Sequence, residues 1–92
     1  MFILPEALTI NTVKEVQEEL ISFSKQKLEK NEKEATLDLI QLKDLDTAGL
    51  QLLLAVRMSF HNKNCSLRLI NVGASLQHLL QLTGAGEILT WE

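Results

Sequence analysis

The stretch "LKDLDTAGLQLLLAVRMSF", Leu42 to Phe60, is the most informative in the chain. An acidic turn with a hydroxyl and a glycine runs straight into a leucine-rich segment. Wound at about 100° per residue, this segment places Gly49, Leu52, Leu53, Val56 and Phe60 on one side. That is a full apolar stripe for packing on a sheet, and Gly49 permits a close approach. Leu50, Leu54 and Met58 fall on the other side, among Gln51, Arg57 and His61. One helix on one sheet does not need this second set. Either a neighbouring helix covers Leu50 and Leu54, or the set is a partner surface: apolar anchors ringed by polar side chains and an arginine.

The turn Asp46-Thr47-Ala48-Gly49 precedes the helix. Aspartate and threonine are good N-caps because their oxygens accept from free backbone N–H groups, so Asp46 or Thr47 fits a capping role. Thr47 also stands at a strand-to-helix turn, where open α/β sheets place their sites. A phosphate there adds about −1.5 to −2 charges. The helix N-terminus favours that charge, while Asp44 and Asp46 oppose it. An acidic or apolar partner surface docked on the turn would be repelled. On a solvated turn Asp44 and Asp46 read as capping groups, not as a metal or acid–base pair.

Outward from this centre, the elements alternate. "FILPEALTI" is apolar but holds Pro5, so it forms an edge strand or two short pieces. Thr12 and Glu15 have capping-box spacing, and Val13, Val16, Leu20 and Phe23 follow at helical spacing. "ATLDLIQL" and "CSLRLINV" read as central strands with apolar residues on both faces, as in a sheet covered by helices. A third helix, "GASLQHLLQLTGAG", has Gly73 or Ser75 at its start, a stripe of Leu76, Leu79 and Leu80, and Gly84 at its C-terminus. "EILTW" is a last short strand. The order β-α-β-α-β-α-β predicts a small α/β domain over residues 1–92, with three main helices and a mixed, mostly parallel sheet of about four strands.

Composition narrows the function. The 92 residues carry a net charge of −3 and no basic cluster, which disfavours nucleic acid and anionic membranes as partners. The start "MFILPEALTI" lacks the marks of a signal peptide, and no apolar run reaches the ~20 residues of a spanning helix. The single cysteine, Cys65, reads as a buried, unreactive thiol. A cytoplasmic location is expected. No phosphate-binding glycine loop occurs, two histidines and one cysteine do not make a zinc site, and no nucleophile–base set can be assembled. No cofactor, metal or enzymatic activity is expected.

The stretch "LDLIQLKDLDTAGLQLLLAVR" resembles the central motif of STAS domains, the fold of bacterial anti-sigma factor antagonists. The resemblance spans nearly the whole chain and includes "LRLINVGASLQHLLQLTG". It implies a non-catalytic module that binds a serine/threonine kinase acting as an anti-sigma factor, with Thr47 as phosphoacceptor. The implied partner surface begins at Thr47 and maps onto Gly49, Leu50 and Leu54; taken with the acidic turn and the two-faced helix read above, the expected partner-binding set is Asp44, Asp46, Thr47, Ala48, Gly49, Leu50, Gln51, Leu54, Arg57 and Met58. The compact "DTAGLQLLL" form is similar to a shorter STAS branch. That branch includes the STAS subunit of a phospholipid-trafficking ABC transporter and STAS proteins of chemotaxis and signalling. There the threonine sits at the contact with the ATPase. Self-association through Leu50, Leu54 and Met58 is a further expectation.

Overall fold

The computed structural model describes residues 1–85 and 89–91. In chain order the elements are β1 (Phe2–Ile3), β2 (Ala7–Leu8), α1 (Val13–Glu29), β3 (Glu34–Asp38), β4 (Asp44–Leu45), α2 (Thr47–His61), β5 (Ser66–Ile70), α3 (Ala74–Thr83) and β6 (Thr90–Trp91). Four strands form one sheet in the order β1-β3-β5-β6, and every pairing is parallel. The expected small α/β fold, with three helices and a mostly parallel sheet, is the one observed. Of the expected strand "EILTW", Thr90–Trp91 forms β6, while Glu87 and Ile88 lie outside the described residues.

The second sheet is a two-strand parallel ladder, β2 with β4. Pro5 creates it. The Leu4 N–H still donates to the Asp38 carbonyl at 2.9 Å, extending the β1–β3 ladder. Pro5 has no N–H to continue that ladder, and the chain changes partner. The Glu6 carbonyl then accepts from the N–H groups of Lys43 and Asp44 at 2.8 and 3.1 Å. The amino-terminal segment is thus two short pieces, each in a different sheet.

In a parallel sheet, residues in register share a face. Phe2, Leu37, Leu69 and Trp91 form one such row, and Leu37 and Leu69 within it are fully buried. Ala35 and Leu67 bury on the same face. The opposite face carries Ile3, Thr36, Arg68 and Ile70, all partly open, with the buried Asp38 in register between Ile3 and Ile70. Helix α1 lies over the buried face: the Phe23 ring packs 5.5 Å from that of Phe2 and 6.3 Å from that of Phe60 in α2. Full burial of Leu53 and Phe60 contributes about 1.5–3 kcal/mol each.

Strand β3 is shorter than its apolar run. Asp38 is buried, and its Oδ1 accepts from the Ile40 N–H at 3.0 Å and from Asn71 Nδ2 at 2.9 Å. The carboxylate takes the amide that a longer ladder would need. It also ties the ends of β3 and β5 together. Asn71, with φ of 56°, ends β5.

One cap differs from expectation, and those of α3 agree with it. Thr12 occupies the N-cap position of α1, but its hydroxyl makes no cap bond. It donates to the Ala7 carbonyl and accepts from the Thr9 N–H, each at 3.0 Å. The Thr12 N–H itself goes to the Thr9 carbonyl, so the capping box does not close. Helix α3 starts at Gly73, with Ser75 inside the helix, and ends at Gly84, whose φ of 78° is the left-handed stop.

Candidate functional site

The turn before α2 is built around Asp46. Its backbone is extended, and its side chain caps the helix. One oxygen, Oδ1, accepts from the Gly49 N–H at 3.0 Å, and the other, Oδ2, accepts from the Ile10 N–H at 2.9 Å. Asp46 is therefore the cap and Thr47 is the first helical residue. The two N–H donors, Gly49 first and Ile10 second, hold the Asp46 carboxyl below its ordinary range.

The sign of this shift fixes a pH dependence. The folded pKa lies below the unfolded one, so Asp46 stabilises the fold above the ordinary carboxylate range. That contribution is lost as pH falls through the lowered folded value. Glu32 acts in the same direction through its 2.8 Å ion pair with Lys27. Asp46→Asn can accept only one of the two N–H groups. It is expected to lower the melting temperature at neutral pH and to flatten the acid limb, leaving the Glu32 part. Thermal unfolding of both proteins across the acid range measures this.

Thr47 is exposed, and among the described residues its hydroxyl has no hydrogen-bond partner. It stands at the head of a stripe. Thr47, Gln51, Leu54 and Met58 recur at i, i+4, i+7 and i+11, which places them in one row about 16 Å long. Gln51 is exposed, Leu54 is half-buried and Met58 is 61% exposed. Arg57 is half-buried beside the row, and Asp44 is exposed before it. Ala48 is half-buried.

Leu50 is corrected by the structure. It belongs to the buried core and is 8% exposed. The amino-terminal end of α2 packs against β2 and β4, and its flank packs against α1. The second apolar set is thus divided: Leu50 supports the fold, Leu54 touches the core from its edge, and Met58 faces outward. A substitution at Leu50 reports on folding, not on a surface. A shallow groove of about 270 Å³ separates α1 and α2, lined by Leu20, Ile21, Leu28, Leu52 and Val56 among others.

Gly49 is buried where the turn meets β2. A Cβ there would fall onto the Leu8 carbonyl oxygen and come within 2.8 Å of Leu45 Cδ1. Its role is close approach, so it shapes the site without being presented by it.

Sequence reasoning missed Ile10. This side chain is 69% exposed and its amide rests on Asp46 across 36 residues of chain. No periodicity marks it, because it lies in the loop between β2 and α1. His61 and His78 are exposed, and among the described residues no three His, Cys, Asp or Glu side chains converge on a metal-sized site. Cys65 is buried, and desolvation raises its thiol pKa. Reaction with a disulfide reagent is therefore expected to be slow in the folded protein and fast in denaturant. Comparable rates in both would contradict the burial.

Comparison with protein families gives a match over residues 4–90, nearly the whole chain, to the family model described as "Mlab, STAS domain". No curated protein matches the chain. No helix among the described residues is long and apolar enough to cross a membrane.

Proposed function

We propose that this chain, which belongs to the STAS domain family, is a non-catalytic regulatory module. It binds a protein partner through the Asp46-Thr47-Ala48-Gly49 turn and the Thr47–Gln51–Leu54–Met58 row of α2. The partner is a serine/threonine kinase of the anti-sigma type, and phosphorylation of Thr47 releases it. The observation that carries this reading is the Thr47 hydroxyl: exposed, without a hydrogen-bond partner among the described residues, and at the head of a row of α2 that runs over the exposed Gln51 and Met58. A purely structural cap would have its oxygen occupied, and here that duty falls to Asp46. A threonine whose hydroxyl has no structural task is free to meet a partner or a phosphoryl group.

A second reading keeps Thr47 as an unmodified contact in a constitutive complex with an ABC-transporter ATPase. Its support is electrostatic. Asp44 and Asp46 flank the hydroxyl, and Asp46 already satisfies the Gly49 N–H that would help hold a phosphate. The test is to isolate the chain from its own cells and identify by mass spectrometry both the co-purified protein and the state of the Thr47 peptide. An ATP-binding kinase together with a phosphorylated Thr47 fraction is the expected result. A transporter ATPase with Thr47 wholly unmodified replaces the first reading with the second.

A further inference from the structure

We infer that a phosphate on Thr47 acts through Asp46: it displaces the carboxylate that holds the β2–α1 loop, and so releases the loop that presents Ile10. This rests on the proposed reading of Thr47 as a phosphoacceptor and adds the means by which the modification reaches a second segment.

The loop from Thr9 to Thr12 is held by polar bonds. Thr12 Oγ1 donates to the Ala7 carbonyl and accepts from the Thr9 N–H, and the Asn11 N–H donates to Thr9 Oγ1 at 3.3 Å. Ile10 contributes little packing, being 69% exposed. Its N–H is fixed from outside the loop by Asp46 Oδ2 at 2.9 Å. The same carboxylate holds the Gly49 N–H in the first turn of α2 with its other oxygen, at 3.0 Å. Asp46 is thus one rigid bracket between the loop and the helix start.

Thr47 is the next residue along the chain. Phosphorylation joins Thr47 Oγ1 to the γ-phosphorus of ATP as the bond to ADP breaks, and the hydroxyl proton passes to a base on the kinase. The product carries three strong acceptor oxygens and about −1.5 to −2 charges. The donors nearest those oxygens are the N–H groups of the first helical turn, among them the Gly49 N–H that Asp46 holds, and the helix dipole there favours an anion. Asp46 uses that same turn. Two anions on adjacent residues cannot share those donors without repulsion, and the phosphate is the stronger acceptor and the more highly charged. Asp46 turns away, and the Ile10 N–H loses its acceptor. The exposed Ile10 side chain is then no longer fixed relative to α2. A partner that contacts both segments meets an altered surface at Ile10 as well as a new charge at Thr47.

Amide hydrogen exchange tests this without any partner. The chain is prepared with phosphothreonine installed at position 47 and compared with the unmodified chain and with Asp46→Ala. The Ile10 amide is the reporter and the Leu69 amide in β5 is the control for global opening. Exchange at Ile10 at least about tenfold faster in the phosphorylated chain and in Asp46→Ala, with Leu69 little changed in the phosphorylated chain, supports the inference. Faster exchange in Asp46→Ala alone overturns it, because the bracket then survives the phosphate. An Ile10 amide that exchanges freely in the unmodified chain overturns it as well. Because the phosphate is installed chemically, its absence from the protein in cells bears only on the proposed function.

Discussion

Gly49→Ala is expected to cost about 3 kcal/mol of stability or more, a large share of the roughly 5–14 kcal/mol of a domain this size. In an isolated helix the same change is favourable, by about 1 kcal/mol. Here the added methyl falls on the Leu8 carbonyl oxygen and against Leu45 Cδ1. The nearer obstacle is backbone, which cannot swing aside as the Leu45 methyl can. Leu8 belongs to the β2–β4 ladder, and its carbonyl also accepts from the Asp46 N–H at 3.4 Å. Relief requires α2 to move away from β2, which would disturb Leu50 and Leu53 in the core. Overpacking of this kind costs about 1–3 kcal/mol where side chains can give way, and more where backbone must. Gly73 provides the control, since a methyl there meets nothing within 4 Å. Gly73→Ala is expected to change stability by less than about 1 kcal/mol. Urea unfolding of the three proteins checks both statements, and equal midpoints for Gly49→Ala and wild type would mean that α2 does not sit on β2 as described.

The second large effect concerns binding. Thr47→Glu is expected to weaken the co-purified partner about a hundredfold, or ~2.8 kcal/mol, with little change in melting temperature. Stability is spared because Thr47 is exposed and bonds to nothing that the fold requires. An acidic group in a first helical turn is mildly favourable, and Asp44 and Asp46 offset that gain. Binding is not spared. A contact centred on Thr47 would have to strip water from a new carboxylate that lies beside two others, and an uncompensated or like-charged group at an interface costs several kcal/mol. Met58→Asp, at the far end of the same row, is the companion variant. Its side chain is already 61% exposed, so a loss of affinity there reports on the surface and not on the fold. Isothermal titration with the purified partner measures each value.

Much of this architecture was legible because it rests on periodic patterns. The stripes of α1 and α2, Val16 and Leu20 in one, Leu52, Leu53, Val56 and Phe60 in the other, are buried as their spacing implies. So are Leu76 and Leu80 of α3. The STAS resemblance carried by the Asp-Thr-Ala-Gly turn agrees with the family match. What escaped the sequence depends on contacts that no short window contains. Leu50 lies outside the sheet-facing stripe of α2, and its burial depends on elements distant in sequence, α1 along the flank of the helix and β2 and β4 beside it. Those two strands have two residues each, too few to show alternation. Capping spacing suggests that Thr12 caps α1, but its hydroxyl oxygen accepts from the Thr9 N–H and not from the helix. Ile10 becomes part of the turn only through a bond to Asp46 from a distant part of the chain.

On the proposed function, Thr47 is the switch of a partner-binding surface. The most direct test titrates the partner isolated from native cells against two forms of the chain, unmodified and carrying phosphothreonine at position 47. Binding to the unmodified form, with affinity at least about tenfold lower for the phosphorylated form, is the predicted result. Equal affinity for the two forms would contradict the claim and leave Thr47 as an ordinary residue at the start of α2.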